Sequence, residues 1–203
     1  MGEGKLDRKE LLKKAGVGTA ALASLPALAG TALAAGGAQK ARWDIISLVF
    51  TPLTFYPGGF AEAKAPDDTT IRLTGAGTFV APAGHNGGSN AVTGGGNWTI
   101  GTESGTYKVK ELVTFEFANF QSQTPVFIDN IGDTNERANG TAVLRIEYSD
   151  GKRGVLVVGC HGPGAPAGIF EGIAVTRGFA TFDSVQPPAP GVDANRTIFH
   201  VRP

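Results

Sequence analysis

From Arg42 to the end of the chain, apolar and polar residues alternate with a period of two, in short runs broken by Gly, Pro, Asn and Asp clusters. Successive side chains of an extended strand point to opposite faces, whereas a helix would repeat its apolar stripe every 3.6 residues. Eight runs stand out, at 43–51, 70–80, 92–101, 105–118, 140–149, 152–161, 169–182 and 196–202. Thirty glycines and twelve prolines in 203 residues supply turns between them and exclude a helical bundle. The expectation is all-β: a single antiparallel β-barrel of about eight strands, closed so that no sheet edge is left open.

Local chemistry sharpens this reading. Asp150-Gly151 between two alternating runs is a two-residue hairpin signal, because both central positions favour a positive φ. A two-residue loop pairs Ser149 with Lys152 and sets Ile146 opposite Val155 and Leu144 opposite Val157. Continuing the alternation turns His161 inward and Cys160 outward. In 105–118, Tyr107, Val109, Val113, Phe115 and Phe117 share a face, on which Glu111 needs a partner or a bulge. Gly75, Gly77 and Gly94-Gly95-Gly96 lie inside strands, where glycine marks a bend or the close approach of another backbone. Paired glycine strands under Trp98 or Phe79 suit a small, strongly coiled barrel. This architecture resembles the small eight-stranded barrels of the lipocalin, allene oxide cyclase and dirigent groups. The resemblance is one of fold, and no site residue or activity carries over from it.

The first 34 residues read as an address. Lys5, Arg8, Lys9, Lys13 and Lys14 form a basic region, followed by a mildly apolar run that ends in Ala32-Leu33-Ala34. Small residues at the first and third positions of that triplet fit signal peptidase, with cleavage after Ala34. The run is too rich in Ala, Gly, Ser and Thr, with Pro26 inside it, to serve as a stable membrane anchor. Asp7-Arg8-Lys9-Glu10-Leu11-Leu12-Lys13 resembles the leader of twin-arginine exported bacterial proteins, with Lys9 where that family has its second arginine. The ordinary secretory route stays open beside it. Residues 1–34 are thus an export signal helix, 35–41 a linker and 42–203 the β-barrel domain, placed in the periplasm or secreted. The expected partners are the export machinery, signal peptidase and a small molecule.

Charge and cysteine usage narrow the function classes. Eighteen basic residues balance eighteen acidic ones, and the chain from Ala35 carries 13 against 15, so no basic footprint for nucleic acid exists. One cysteine, Cys160, excludes an internal disulfide framework and paired-cysteine zinc spacing. If the strands run up and down, His85, His161, His200 and Glu171 gather at one mouth, with Asp129, Asp133 and Glu136 in the long 119–139 loop above them. Imidazole and carboxylate suit a transition metal such as zinc, copper or iron, with an open position for water. No H-x-H or H-x-x-x-H spacing accompanies them.

Trp98, Tyr107, Phe79, Phe115 and Phe117 either fill a dry core or line a cavity for an apolar ligand. Arg177 stands either in an ion pair or in a polar pocket. The leading reading is an exported binding protein for a small apolar molecule, with Trp98, Tyr107, Phe115 and Arg177 as ligand-binding residues. A cyclase or isomerase of the same architecture is not separable from it by sequence. The alternatives are a metal-dependent enzyme built on His161, His200, Glu171 and His85, and a surface-interaction protein without a pocket. Whether the chain is an enzyme, and which cofactor it would use, the sequence leaves open.

Overall fold

The computed structural model describes residues 38–82, 88–187 and 191–202. The leader and the loop carrying His85 lie outside the described residues. Within them the protein is all-β. Its strands are β1 (Gln39–Phe50), β2 (Leu53–Pro57), β3 (Ala61–Lys64), β4 (Thr70–Leu73), β5 (Ala76–Ala81), β6 (Val92–Ile100) and β7 (Glu103–Phe120). They continue with β8 (Ile128–Asp129), β9 (Arg137–Tyr148), β10 (Arg153–Cys160), β11 (Gly172–Arg177), β12 (Ala180–Ser184) and β13 (Arg196–Arg202). A single 3-10 turn, Thr134–Glu136, precedes β9. β1 opens at Gln39, so residues 39–41 of the stretch read as a linker are already strand.

All thirteen strands belong to one sheet, in place of the eight expected. Its order runs β10-β11-β12-β3-β4-β6-β7-β9-β13-β1-β2-β8, with β5 between β1 and β6 and a further ladder from β10 to β9. The ladders therefore return to β9 along two routes, one through β10, β11, β12, β3, β4, β6 and β7, the other through β13, β1, β5, β6 and β7. This is not a simple up-and-down eight. Run 70–80 breaks at Thr74-Gly75 into β4 and β5, and run 169–182 folds at Gly178-Phe179 into the β11–β12 hairpin. The unexpected β2 and β3 are short and separated by Gly58-Gly59-Phe60, whose glycine pair reads locally as turn. Buried Ala61 and Ala63 recruit β3 to the sheet all the same.

The β9–β10 hairpin corrects the expected register by one residue. The Gly151 amide donates to Tyr148 O, the Tyr148 amide to Lys152 O, and Gly151 takes φ +83°. The loop is thus Ser149-Asp150-Gly151, three residues with a left-handed glycine as the third. Ile146 then faces Gly154, Leu144 faces Leu156, and Gly140 faces Cys160. A one-residue slip exchanges the faces of a strand. Leu156, Val158 and Cys160 accordingly point inward, and His161 is exposed. In β7 a register shift between Val109 and Glu111 swings Glu111 out to Arg145 at 2.9 Å and puts Leu112, rather than Val113, into the core.

The interior is filled with side chains. Phe79, Phe115 and Phe199 pack edge-on or tilted, with Phe115 4.9 Å from Phe79 and 5.2 Å from Phe199. Trp98 meets Tyr148 at right angles. Fully burying each such side chain stabilises the fold by roughly 1.5–3 kcal/mol. Gly94, with φ +107°, sits where a Cβ would overlap Ala76 O and the Cα of Gly77, so the glycine pairing lets β5 and β6 close tightly.

A second, smaller core lies on the outer face of β1 and β13. The outward residues of β1 and β13, Ile46, Leu48 and Ile198, pack against Phe55, with Phe50, Phe127 and Ile131 alongside. The cover is β2 together with the long connection from β7 to β9. Its two-residue β8 pairs in parallel with β2, Thr54 to Ile128 and Phe55 to Asp129. Both candidate cavities lie under this cover.

Candidate functional site

Trp98, Tyr107 and Phe115 are core residues, buried to 7% exposure or less. The Arg177 guanidinium lies 4.0 Å over the Trp98 ring and is held by Asp150 at 2.6 Å and Glu103 at 3.6 Å. Tyr107 donates to Thr74 O and Tyr148 to Thr176 O. These residues knit the interior and cap one end of it, and none of the four expected ligand contacts lines either cavity described next.

The first cavity, about 180 Å³, lies at the Lys40–Arg202 end of the β1–β13 ladder under Ile131, Gly132 and Glu136. Its two arginines are paired: Arg42 makes two 2.7 Å bonds to buried Asp44, and Arg202 binds Glu136 at 2.9 Å. His200, 3% exposed, lines it. His200 Nε2 lies 2.9 Å from Asp129 Oδ2, and Asp129 Oδ1 accepts from the amides of Ile131 and Gly132. Burial opposes ionisation of Asp129, but His200 and the two amides outweigh it and hold the carboxyl below its ordinary value. A carboxylate can only accept, so Nε2 carries the proton. The ring's other nitrogen, Nδ1, is buried without a partner among the described residues. This pair clasps the cover to β13.

The second cavity, about 140 Å³, has apolar walls from Ile46, Leu48, Phe55, Phe127 and Ile198. Phe55 and Phe127 stack at 4.6 Å, and the Arg137 guanidinium lies 5.2 Å from the Phe127 ring. Its polar wall comes from Gln121, Cys160, His161, Glu171, Arg196 and Thr197. An open apolar groove formed by Phe50, Leu53, Pro125 and Pro187 shares Leu48, Phe127 and Arg196 with it.

Glu171 is the ionisable centre of this wall. Gly172, at φ +105°, turns the chain into β11 just after it. Glu171 Oε1 accepts from the Thr197 amide at 2.7 Å and Oε2 from the His161 amide at 2.6 Å. Burial pushes the carboxyl up to about 7, against the pull of those amides and of Arg196. Cys160 Sγ contacts Thr197 O and Gln121 Nε2, and burial beside Glu171 raises the thiol well above its ordinary value. A thiol held neutral is a packing group rather than a nucleophile.

The structure brings His161 and Glu171 to one cavity and leaves His200 lining the other. His85 lies outside the described residues. Among the described residues, no three His, Cys, Asp or Glu side chains come together as a metal ion would require. The sequence reading missed Gln121, Phe127 and Arg196, which no motif singles out. It did set Asp129 and His200 at the same mouth through strand parity, and the two are hydrogen-bonded. Compared with family models, with curated proteins and with solved structures, the chain has no significant match.

Proposed function

We propose that the protein is an exported small-molecule binding protein whose apolar ligand seats in the second cavity and extends along the adjoining groove. One observation carries this reading: five apolar side chains and a few convergent polar groups enclose a hollow, while the sheet interior is packed solid. Ligand sites combine these two features, mostly apolar walls and a small number of placed polar groups. Export to the periplasm or medium is supported by the leader's basic region and its Ala32-Leu33-Ala34 ending. The route around β9 through seven further strands is how a coiled eight-stranded barrel would close, in keeping with the barrel resemblance. In this reading the ligand lies between the barrel wall and its cover, not in the lumen.

The test is native mass spectrometry of the exported protein for a co-purified small molecule, with calorimetric titration of medium-chain apolar probes. Phe127→Ala removes one wall and weakens binding about ten-fold. Absence of binding to every apolar probe at millimolar concentration refutes the proposal.

A further inference from the structure

The polar wall of the second cavity contains buried hydrogen-bonding atoms that have no partner among the described residues. Gln121 is 5% exposed, and its Nε2 donates toward Cys160 Sγ at 3.3 Å and Ala138 O at 3.5 Å. The opposite amide orientation would set carbonyl against carbonyl at Ala138, so Ala138 fixes which atom is the oxygen. That oxygen, Oε1, is buried and has no donor. His161 Nδ1 lies 2.8 Å from Ile169 O, an acceptor, so Nδ1 carries the hydrogen and Nε2 keeps its lone pair. Arg196 Nε is a buried donor without an acceptor. Both Glu171 oxygens already accept backbone amides.

The cavity wall thus carries an unpaired acceptor at Gln121 and an unpaired donor at Arg196, beside a buried carboxyl group. An unmade hydrogen bond at a buried polar atom costs about 1–3 kcal/mol, so the ligand group that fits must both donate and accept. A carboxylate only accepts and leaves Gln121 Oε1 without a donor. An ammonium only donates and leaves Arg196 Nε without an acceptor. A hydroxyl does both and carries no charge. Resting on the binding reading above, we infer that the ligand is a neutral alcohol or phenol, its hydroxyl donating to Gln121 Oε1 and its apolar body lying along Phe127 and Leu48.

The test titrates the exported protein with four probes of matched chain: 1-octanol, its methyl ether, octanoate and octylammonium. Octanol is expected to bind about ten-fold more tightly than the other three, the factor for one buried hydrogen bond. Gln121→Leu should remove that preference over the ether by weakening octanol alone. In the unaltered protein, the Gln121 side-chain amide resonances should shift with octanol and not with the ether, a readout independent of any variant's folding. Equal affinity for octanol and ether, or a preference that survives in Gln121→Leu, overturns the hydroxyl inference. If all four probes then bind alike and Phe127→Ala weakens them all, the cavity reading stands without it. If none binds, the cavity holds only water, and both readings fall together.

Discussion

Replacing Asp129 with alanine removes the clasp between the cover and β13. The side chain is 1% exposed and accepts three hydrogen bonds, from Ile131 and Gly132 in its own loop and from His200 across the interface. Gly132 is exposed, so water can replace the carboxylate at its amide. His200 cannot recover in this way: its ring is buried under Gly132, and Nδ1 is already without a partner. Leaving the Nε2 hydrogen unpaired costs about 1–3 kcal/mol, and the two amide bonds add about 1 kcal/mol together once water is counted. The expected loss is about 3 kcal/mol. It should fall on the cover first, because the inner core shares none of these bonds. Hydrogen exchange in Asp129→Ala should therefore accelerate about 100-fold across residues 127–136, while the β9 core amides around Leu144 keep their protection. Asp129→Asn, which retains the oxygen facing the loop amides but turns an amide donor on His200 Nε2, should lose about 2 kcal/mol. The native contribution is present above the ordinary carboxyl range and disappears as pH falls through the lowered value of Asp129, so the two variants should converge with the parent in acid. Unchanged exchange at 127–136 in the alanine variant would refute the clasp.

Three further expectations rest on single groups. Glu171 binds its proton more tightly folded, near 7, than at its ordinary 4.5, so stability should decline as pH rises between those values, by about 3 kcal/mol in all. Urea midpoints at pH 5 and pH 8 measure this, and a midpoint that rises with pH would contradict the assignment once Glu171→Gln has served as the control. Gly151→Ala should cost about 1 kcal/mol, from its positive φ alone, since nothing lies within 4 Å of the added Cβ. Gly94→Ala, which also meets Ala76 O, should cost more than 3 kcal/mol, and equal unfolding midpoints for the two would remove the close-approach argument. Amino-terminal sequencing of the exported chain should begin at Ala35, and a product that retains Lys5 to Lys14 would sink the cleavage site.

The strands that were legible are those in which one face is uniformly apolar. Val109, Leu144 and Ile146 follow from alternation because water on one side and core on the other impose it. Alternation fails where both faces are covered. The outer face of β1 and β13 carries Ile46, Leu48 and Ile198 beneath Phe55 and Phe127, so apolar residues there do not mark an inside. Nor can a period of two announce a cover made of a two-residue strand and a 3-10 turn, each held by a few side chains from distant sequence. The cavity arises from that tertiary layering, and its lining residues have no spacing in common.

The hairpin shows how a local misreading propagates to chemistry. Asp-Gly identifies the turn, but whether the loop holds two residues or three is decided by whether Tyr148 or Ser149 makes the last pair. The structure chooses Tyr148, whose hydroxyl reaches Thr176 O and whose ring meets Trp98 edge-on. Burial of that aromatic thus sets the register of β10, and the register sends Cys160 inward. With the thiol packed against Thr197 O and Gln121, the His161 amide comes within 2.6 Å of Glu171 Oε2. Had the register been the two-residue one, His161 would face the core and Cys160 the solvent, and the polar wall would lose its anchor. One residue at the end of β9, twelve positions before Cys160, therefore determines whether this cavity has a hydrogen-bonding wall.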